Sequence, residues 1–234
     1  MSRRVALVPA AGFGQRFGSP TPKQYLDLAG RPLMAHTLAT LAAVSTIDAV
    51  AVVVSPGDEW FDDFDWSAIP RLTVLRVGGA SRAESVRNGI AALREAGQLA
   101  DDDWLLVHDA ARCCISVELV ERLIAALADD PVGGLLALPV PDTVKRADPA
   151  GRVEATVARA GLWLAQTPQM FRAAMLAEAL GHGATEAITD EASAIEARGL
   201  APRLVEGDAQ NFKVTYPRDL ALAAAILAAR TGQD

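Results

Sequence analysis

Cysteine is scarce in this sequence: 234 residues carry only Cys113 and Cys114. Adjacent thiols have poor geometry for a mutual disulfide and lack the ligand spacing of a zinc site, so a disulfide scaffold is excluded. The pair reads as reduced, partly buried small residues. Positive charge is short as well, with 22 Lys and Arg against 29 Asp and Glu and a formal net charge of −7. General nucleic-acid binders need a surplus of Lys and Arg to displace counterions from phosphates, so that class is excluded and the expected ligands are small. No apolar run approaches the roughly 20 residues that span a bilayer. The opening MSRRVALVPAAG has too short an apolar stretch for a signal peptide. A cytoplasmic protein with neither membrane nor nucleic-acid partners is expected.

What is present in quantity is apolar residue, at 51% of positions. That is enough to bury one full core, and residues 1–234 are expected to form a single α/β domain. Apolar runs of strand length at Val5 to Val8, Ala49 to Val54, Leu72 to Val77, Trp104 to Val107 and Leu135 to Val140 alternate with segments of helical period. This is the pattern of a mostly parallel sheet covered on both faces. Val120, Leu123, Ile124 and Leu127 recur on one helical face behind Ser116, a suitable N-cap. Ser81 to Glu84 spell a capping box ahead of Val86, Ile90 and Leu93, which puts Ser85 in a first helical turn after Gly78-Gly79. Thr189 with Asp190 and Glu191 is expected to open a third helix that Gly199 closes. Thr215 with Pro217 is expected to open a terminal helix. No internal repeat, low-complexity tract or linker interrupts the chain.

One segment has too few apolar residues to fill a core. From Asp142 to Val157 the text reads as two short polar strands around an Asp148-Pro149-Ala150-Gly151 turn. Residues 139–160 are therefore expected to project as a hairpin arm. A lone hairpin is marginally stable in water, and the choice lies between a second subunit that supports it and a solvent-facing flap.

Two stretches carry chemistry. In VPAAGFGQRF, small residues Ala10, Ala11, Gly12 and Gly14 follow the first strand and let backbone N–H groups approach a phosphate chain, while Arg16 and Lys23 flank the turn. This is not the dinucleotide fingerprint, because Phe17 holds the place of the third glycine, and it is not a Walker A loop. The plain alternative is a tight strand-to-loop connection with two solvated cations. In WLLVHDAAR, Asp109 closes an apolar strand at the sheet's carboxyl edge, where one carboxylate plus phosphate oxygens would hold magnesium. Taken alone, Asp109 would be a turn or cap residue. His108 has no Ser or Cys partner and reads as structural.

Together, PAAGFGQRF with PKQY, GG-x-x-R-x-x-S at Gly78 to Ser85, HDAAR, PVPDTVKR, GLWLAQTPQ, TDEASA and NFKVT resemble the 2-C-methyl-D-erythritol 4-phosphate cytidylyltransferase family over nearly the whole chain. Cys113 follows HDAAR where proline is usual, Ala80 replaces a common acidic residue, and Gln210 stands where some members have Asp. The resemblance implies a Rossmann-like nucleotidyltransferase fold with an arm, and a chain that ends where a single-function member ends. It implies transfer of a cytidylyl group from CTP to 2-C-methyl-D-erythritol 4-phosphate with release of pyrophosphate.

Residue by residue, the resemblance implies that Ala10, Ala11, Gly12 and Gly14 surround the nucleotide, Gly79 and Ser85 read cytosine, and Arg16 and Lys23 hold the triphosphate. Asp109 would bind Mg2+ with Arg112 beside it, and Lys213 would sit near the reacting phosphates. Thr143 and Arg159 match arm positions that reach the neighbouring subunit's acceptor, with Thr167 and Thr189 near the same pocket, so a homodimer is implied. An ionised acceptor phosphate needs alignment and charge neutralisation instead of a strong base, which suits these residue types. Two other readings stand: a ribitol 5-phosphate or other sugar-phosphate cytidylyltransferase, and a catalytically silent nucleotide-binding regulatory protein.

Overall fold

The computed structural model describes residues 2–12, 17–18, 20–181 and 188–231. Seven strands form its central sheet: β1 (Arg4–Pro9), β4 (Ala49–Val53), β5 (Leu72–Leu75), β6 (Trp104–Val107), β7 (Gly133–Pro139), β10 (Trp163–Arg172) and β11 (Arg203–Glu206). Their order is β11-β7-β10-β6-β1-β4-β5. All run parallel except β10, which pairs antiparallel with both β6 and β7. Two small sheets stand apart: β2 (Asp27–Leu28) with β3 (Arg31–Pro32), and β8 (Val144–Ala147) with β9 (Val153–Val157).

The alternation of side chains along the buried strands divides the core into two layers. Ala6, Val8, Val50, Val52 and Leu106 face α1 (Leu33–Ala43) and α3 (Val117–Leu127). Val5, Leu7, Ala51, Val53 and Leu105 face α2 (Arg82–Glu95), α4 (Ala173–Gly181) and α5 (Glu191–Glu196). Helices on both faces explain why the strands read as continuous apolar runs. A third apolar cluster joins Leu28, Leu33, Ala111, Cys113, Cys114 and Val214 to Ala223 of α6 (Asp219–Thr231). Both thiols are free and fully buried there, not partly as expected from sequence.

Helix starts follow their caps. Ser116 Oγ accepts from the Leu119 N–H, as expected. Ser81 Oγ accepts from the Glu84 N–H, but Glu84 turns its carboxylate to the Ala80 N–H, so only half of the expected box forms. In α5 the cap is Asp190, boxed with Ser193, and Thr189 lies just outside. The terminal helix begins at Asp219, later than Thr215 and Pro217 suggest. The Asp219 carboxylate accepts from the Thr215 and Tyr216 N–H groups and holds that stretch as a turn. Strand β5 is shorter than the expected Leu72 to Val77, since pairing stops at Leu75 and Arg76 points its guanidinium to the Asp58 carbonyl and Asp62.

The arm has the expected form. Asp148 closes the turn between β8 and β9 by accepting from the Ala150 and Arg152 N–H groups. At its root, Leu162, Trp163 and Leu164 are exposed, as is Val153 on the arm itself.

Candidate active site

The carboxyl ends of β1, β4 and β6 converge on one edge, where parallel α/β sheets bind ligands. The first loop is fixed from three sides. The Ala10 N–H donates to the Val53 carbonyl, and the Gln24 amide donates to the Ala10 carbonyl at 2.6 Å. Gly78 packs so closely that any side chain there would collide with the Ala11 methyl and the Val54 carbonyl. The PKQY segment thus divides its labour. Tyr25 is buried and donates to Asp58, Gln24 braces the loop, and Lys23 reaches the site with Nζ 2.6 Å from the Val214 carbonyl.

Across the cleft, the Gly79 N–H donates to Ser85 Oγ at 3.0 Å, and Ser85 donates its own proton to the Ser81 carbonyl at 2.9 Å. Ser85 therefore faces a ligand as an acceptor.

Asp109 is the centre of the charge pattern. Its Oδ1 accepts from Arg82 Nε at 2.8 Å, and its Oδ2 pairs with Lys213 Nζ at 2.8 Å and Arg112 Nε at 3.6 Å. Burial alone would push this carboxyl upward, but the three cations hold it well below the usual carboxylate range. Behind it, the Asp109 N–H donates to Thr167 Oγ1, so the threonine proton is left for His108 Nδ1 at 2.9 Å. The His108 proton then sits on Nε2, facing the Arg112 carbonyl. Burial pushes His108 down to about 4 and keeps it neutral, the structural role its sequence context suggested.

Two cavities open here. The first, of about 380 Å³, is lined by Ala10, Ala11, Gly12, Lys23, Gly79 and Ser85, among others. The second, of about 200 Å³, is lined by Arg112, Gln166, Thr167, Gln169, Thr189 and Asp190. Arg82, Asp109 and Lys213 line both and form the ridge between them.

Seven residues expected to serve the nucleotide or metal therefore meet in the first cavity, together with Lys213. Arg112 does not; it lies on the second side, where Nη1 donates to the Asn211 carbonyl at 2.7 Å and braces the segment that carries Lys213. Thr167 and Thr189 also line the second cavity. Thr143 and Arg159 are exposed on the arm segment and line neither. Gly14 and Arg16 lie outside the described residues.

Sequence reasoning placed Arg82 and Glu191 at helix starts but gave neither of them, nor Gln24, a role in the site. Arg82 and Glu191 sit in the GG-x-x-R-x-x-S and TDEASA motifs, but their pairing across 109 positions has no local signature.

The donor set bears on a divalent metal. Among the described residues no three His, Cys, Asp or Glu side chains cluster, and Asp109 is the one carboxylate lining the first cavity, beside Lys23, Arg82 and Lys213. That set fits a magnesium ion that arrives with phosphate oxygens as its remaining ligands.

The IspD family model, 2-C-methyl-D-erythritol 4-phosphate cytidylyltransferase, matches residues 4–229. A protein of that name from Chromobacterium violaceum is 72% identical over 226 residues, covering 97% of this chain and 98% of its own. Its counterpart from Laribacter hongkongensis is 64% identical, covering 97% of each chain. The crystal structure of a 4-diphosphocytidyl-2C-methyl-D-erythritol synthase superposes with a TM-score of 0.86 at 44% identity, covering 97% of this chain and 99% of that one.

Proposed function

The chain belongs to the 2-C-methyl-D-erythritol 4-phosphate cytidylyltransferase family, and from that premise we propose that it transfers the cytidylyl group of CTP to 2-C-methyl-D-erythritol 4-phosphate, a step of non-mevalonate isoprenoid synthesis. The observation that carries this reading is the pair of cavities sharing Arg82, Asp109 and Lys213. A two-substrate phosphoryl transfer needs two pockets that meet at the reacting phosphorus, with cations where they meet.

CTP occupies the larger cavity, its base against Gly79 and Ser85 and its triphosphate along the first loop and Lys23. The acceptor occupies the smaller cavity beside Arg112, Thr167 and Thr189. An acceptor phosphate oxygen attacks the α-phosphorus; the new P–O bond forms as the bond to the bridging oxygen breaks, and pyrophosphate leaves. The attacking oxygen is already ionised, so no residue must remove a proton. Lys213 and Arg82 face the charge that grows on the α-phosphoryl oxygens, and Lys23 steadies the leaving group. Asp109 would hold magnesium together with phosphate oxygens, and the ion would supply further neutralisation there.

Cytosine preference follows from the orientation of Ser85. Its proton is committed to the Ser81 carbonyl, so it offers a lone pair, which suits the 4-amino group of cytosine and repels the 4-oxo group of uracil. Ser85→Ala is expected to raise KM for CTP about tenfold, with a smaller effect on UTP, because one buried hydrogen bond is lost for cytosine alone. Steady-state kinetics with both nucleotides checks this, and equal losses for both would refute the assignment.

Further parts of the proposal concern assembly and place. The exposed Leu162, Trp163 and Leu164 at the root of a polar hairpin support a homodimer in which the arm carries Thr143 and Arg159 to the partner's smaller cavity. Bacterial relatives and the use of CTP as substrate support a cytoplasmic location. The deciding experiment is pyrophosphate release from the purified protein with CTP and magnesium, offering 2-C-methyl-D-erythritol 4-phosphate, ribitol 5-phosphate or no acceptor. Release with the first alone is expected. Release with ribitol 5-phosphate alone would change the acceptor, and silence with both would favour a nucleotide-binding protein without turnover.

A further inference from the structure

Arg82 divides its guanidinium between two carboxylates. Nη1 and Nη2 bind both oxygens of Glu191 at 2.6 and 3.0 Å, while Nε alone reaches Asp109 Oδ1 at 2.8 Å. Glu191 is almost fully buried, at 1% exposure, and its position is over-determined. It is the first residue of α5, whose opening turn is capped by Asp190 and clamped by Gln169. The Gln169 Oε1 accepts from the Ala192 N–H, and its Nε2 donates to Asp190 Oδ2. Nothing in the transfer chemistry uses Glu191 directly, since it lines neither cavity. A buried carboxylate with both oxygens spent on one active-site arginine calls for a different explanation.

A guanidinium facing a single carboxylate binds it through two parallel N–H donors and occupies both oxygens. Each Nη still has a second hydrogen, so a second fork of Nε and Nη2 is chemically open, but the Glu191 pair fixes the plane and rotation of the guanidinium, and in that setting only Nε reaches Asp109, through one oxygen. The second oxygen, Oδ2, is paired at 2.8 Å with Lys213, whose side chain is 39% exposed and carries a single point charge, while Arg112 Nε stands off at 3.6 Å, beyond hydrogen-bond distance. That ion pair can exchange when phosphates and a cation enter, whereas a two-point arginine pair would resist. We propose that Glu191 is a positioning residue that restrains Arg82 to a one-point contact and so keeps an oxygen of Asp109 available to the divalent ion that accompanies the nucleotide.

The inference rests on the cytidylyltransferase reading, and the test separates the two. Binding of Mn2+ is followed by electron paramagnetic resonance in the presence of CTP without acceptor, alongside the magnesium concentration for half-maximal turnover. Glu191→Gln keeps the side-chain shape but loses the ion pair, and it releases the guanidinium to turn its Nε and Nη2 fork onto both oxygens of Asp109. It is expected to weaken Mn2+ binding in the CTP complex about tenfold and to raise the half-maximal magnesium by a similar factor. CTP binding without metal should stay within about twofold of wild type.

The discriminating variant is Arg82→Lys. A lysine cannot chelate a carboxylate, so adding Glu191→Gln to Arg82→Lys is expected to change Mn2+ affinity by less than about threefold. A purely structural role for Glu191 would damage both backgrounds alike. Wild-type Mn2+ affinity in Glu191→Gln, or an equal loss when it is added to Arg82→Lys, overturns the proposal. If Glu191→Gln does not fold with its guanidinium unpaired, the two Arg82→Lys proteins still decide, because a tenfold gap between them is the overturning result. Failure of the wild-type protein itself to bind Mn2+ with CTP would instead count against the functional reading.

Discussion

Replacing Lys213 by alanine is expected to lower kcat roughly a thousandfold, equivalent to about 4 kcal/mol of transition-state stabilisation. Lys213 is one of three side chains that line both cavities, and the other cation among them, Arg82, is already shared between two carboxylates, Asp109 and Glu191. Its own pair with Asp109 is exchangeable, so its charge can move to the α-phosphoryl oxygens as they become more negative. A group used more in the transition state than in the ground state shows its loss in kcat, with KM for CTP changing little. Lys23→Ala should cost about a hundredfold, or about 3 kcal/mol, because Lys23 lines the nucleotide cavity alone. Measured by pyrophosphate release, a Lys213→Ala enzyme within tenfold of wild type would remove Lys213 from the chemistry. So would a defect confined to KM.

Lys213 also shows what sequence reasoning reaches and where it stops. The parallel strands β1, β4, β6 and β7 were legible because each is largely buried and reads as an apolar run, as Trp104 to Val107 does, whereas β11, parallel to β7, exposes three of its four residues and has no such run. The caps at Ser81 and Ser116 were legible because an N-cap is written within four residues. The strand β10 was not. Its first three residues are exposed, its next six are buried, and the ladder to β7 breaks between Ala165 and Gln169, so neither period 2 nor a continuous run marks it. Yet β10 is what carries Gln166, Thr167 and Gln169 to the second cavity, against the direction of every neighbouring strand.

The same limit governs the site. Small residues after the first strand, Lys23 and Asp109 announce a phosphate site by type and place. Arg82 is paired with Glu191 across the gap from α2 to α5, and Arg112 is turned toward the Asn211 carbonyl. Only three-dimensional packing tells a side chain that will touch substrate from one that will hold another side chain. A motif records that both matter and does not distinguish them.

The arm supplies the second large effect. Thr143 and Arg159 are exposed and line neither cavity of their own chain, so in the proposed homodimer their partner is the neighbouring acceptor pocket. Arg159→Ala, which removes a phosphate-binding cation, is expected to lower kcat/KM for the acceptor about a hundredfold while leaving KM for CTP unchanged. The stronger test mixes two inactive proteins. In a heterodimer of Lys213→Ala with Arg159→Ala, one pocket combines both defects and the other combines an intact Lys213 with an intact arm. Random exchange of equal amounts makes half the dimers mixed, and half their pockets whole, so about a quarter of wild-type activity should return. Unfolding and refolding the mixture, or co-expressing the two chains, allows that exchange. No recovery beyond the sum of the separate proteins would mean that each arm serves its own chain. Recovery near a quarter would locate the active site across two subunits, where the exposed apolar root of the arm already argues for a partner.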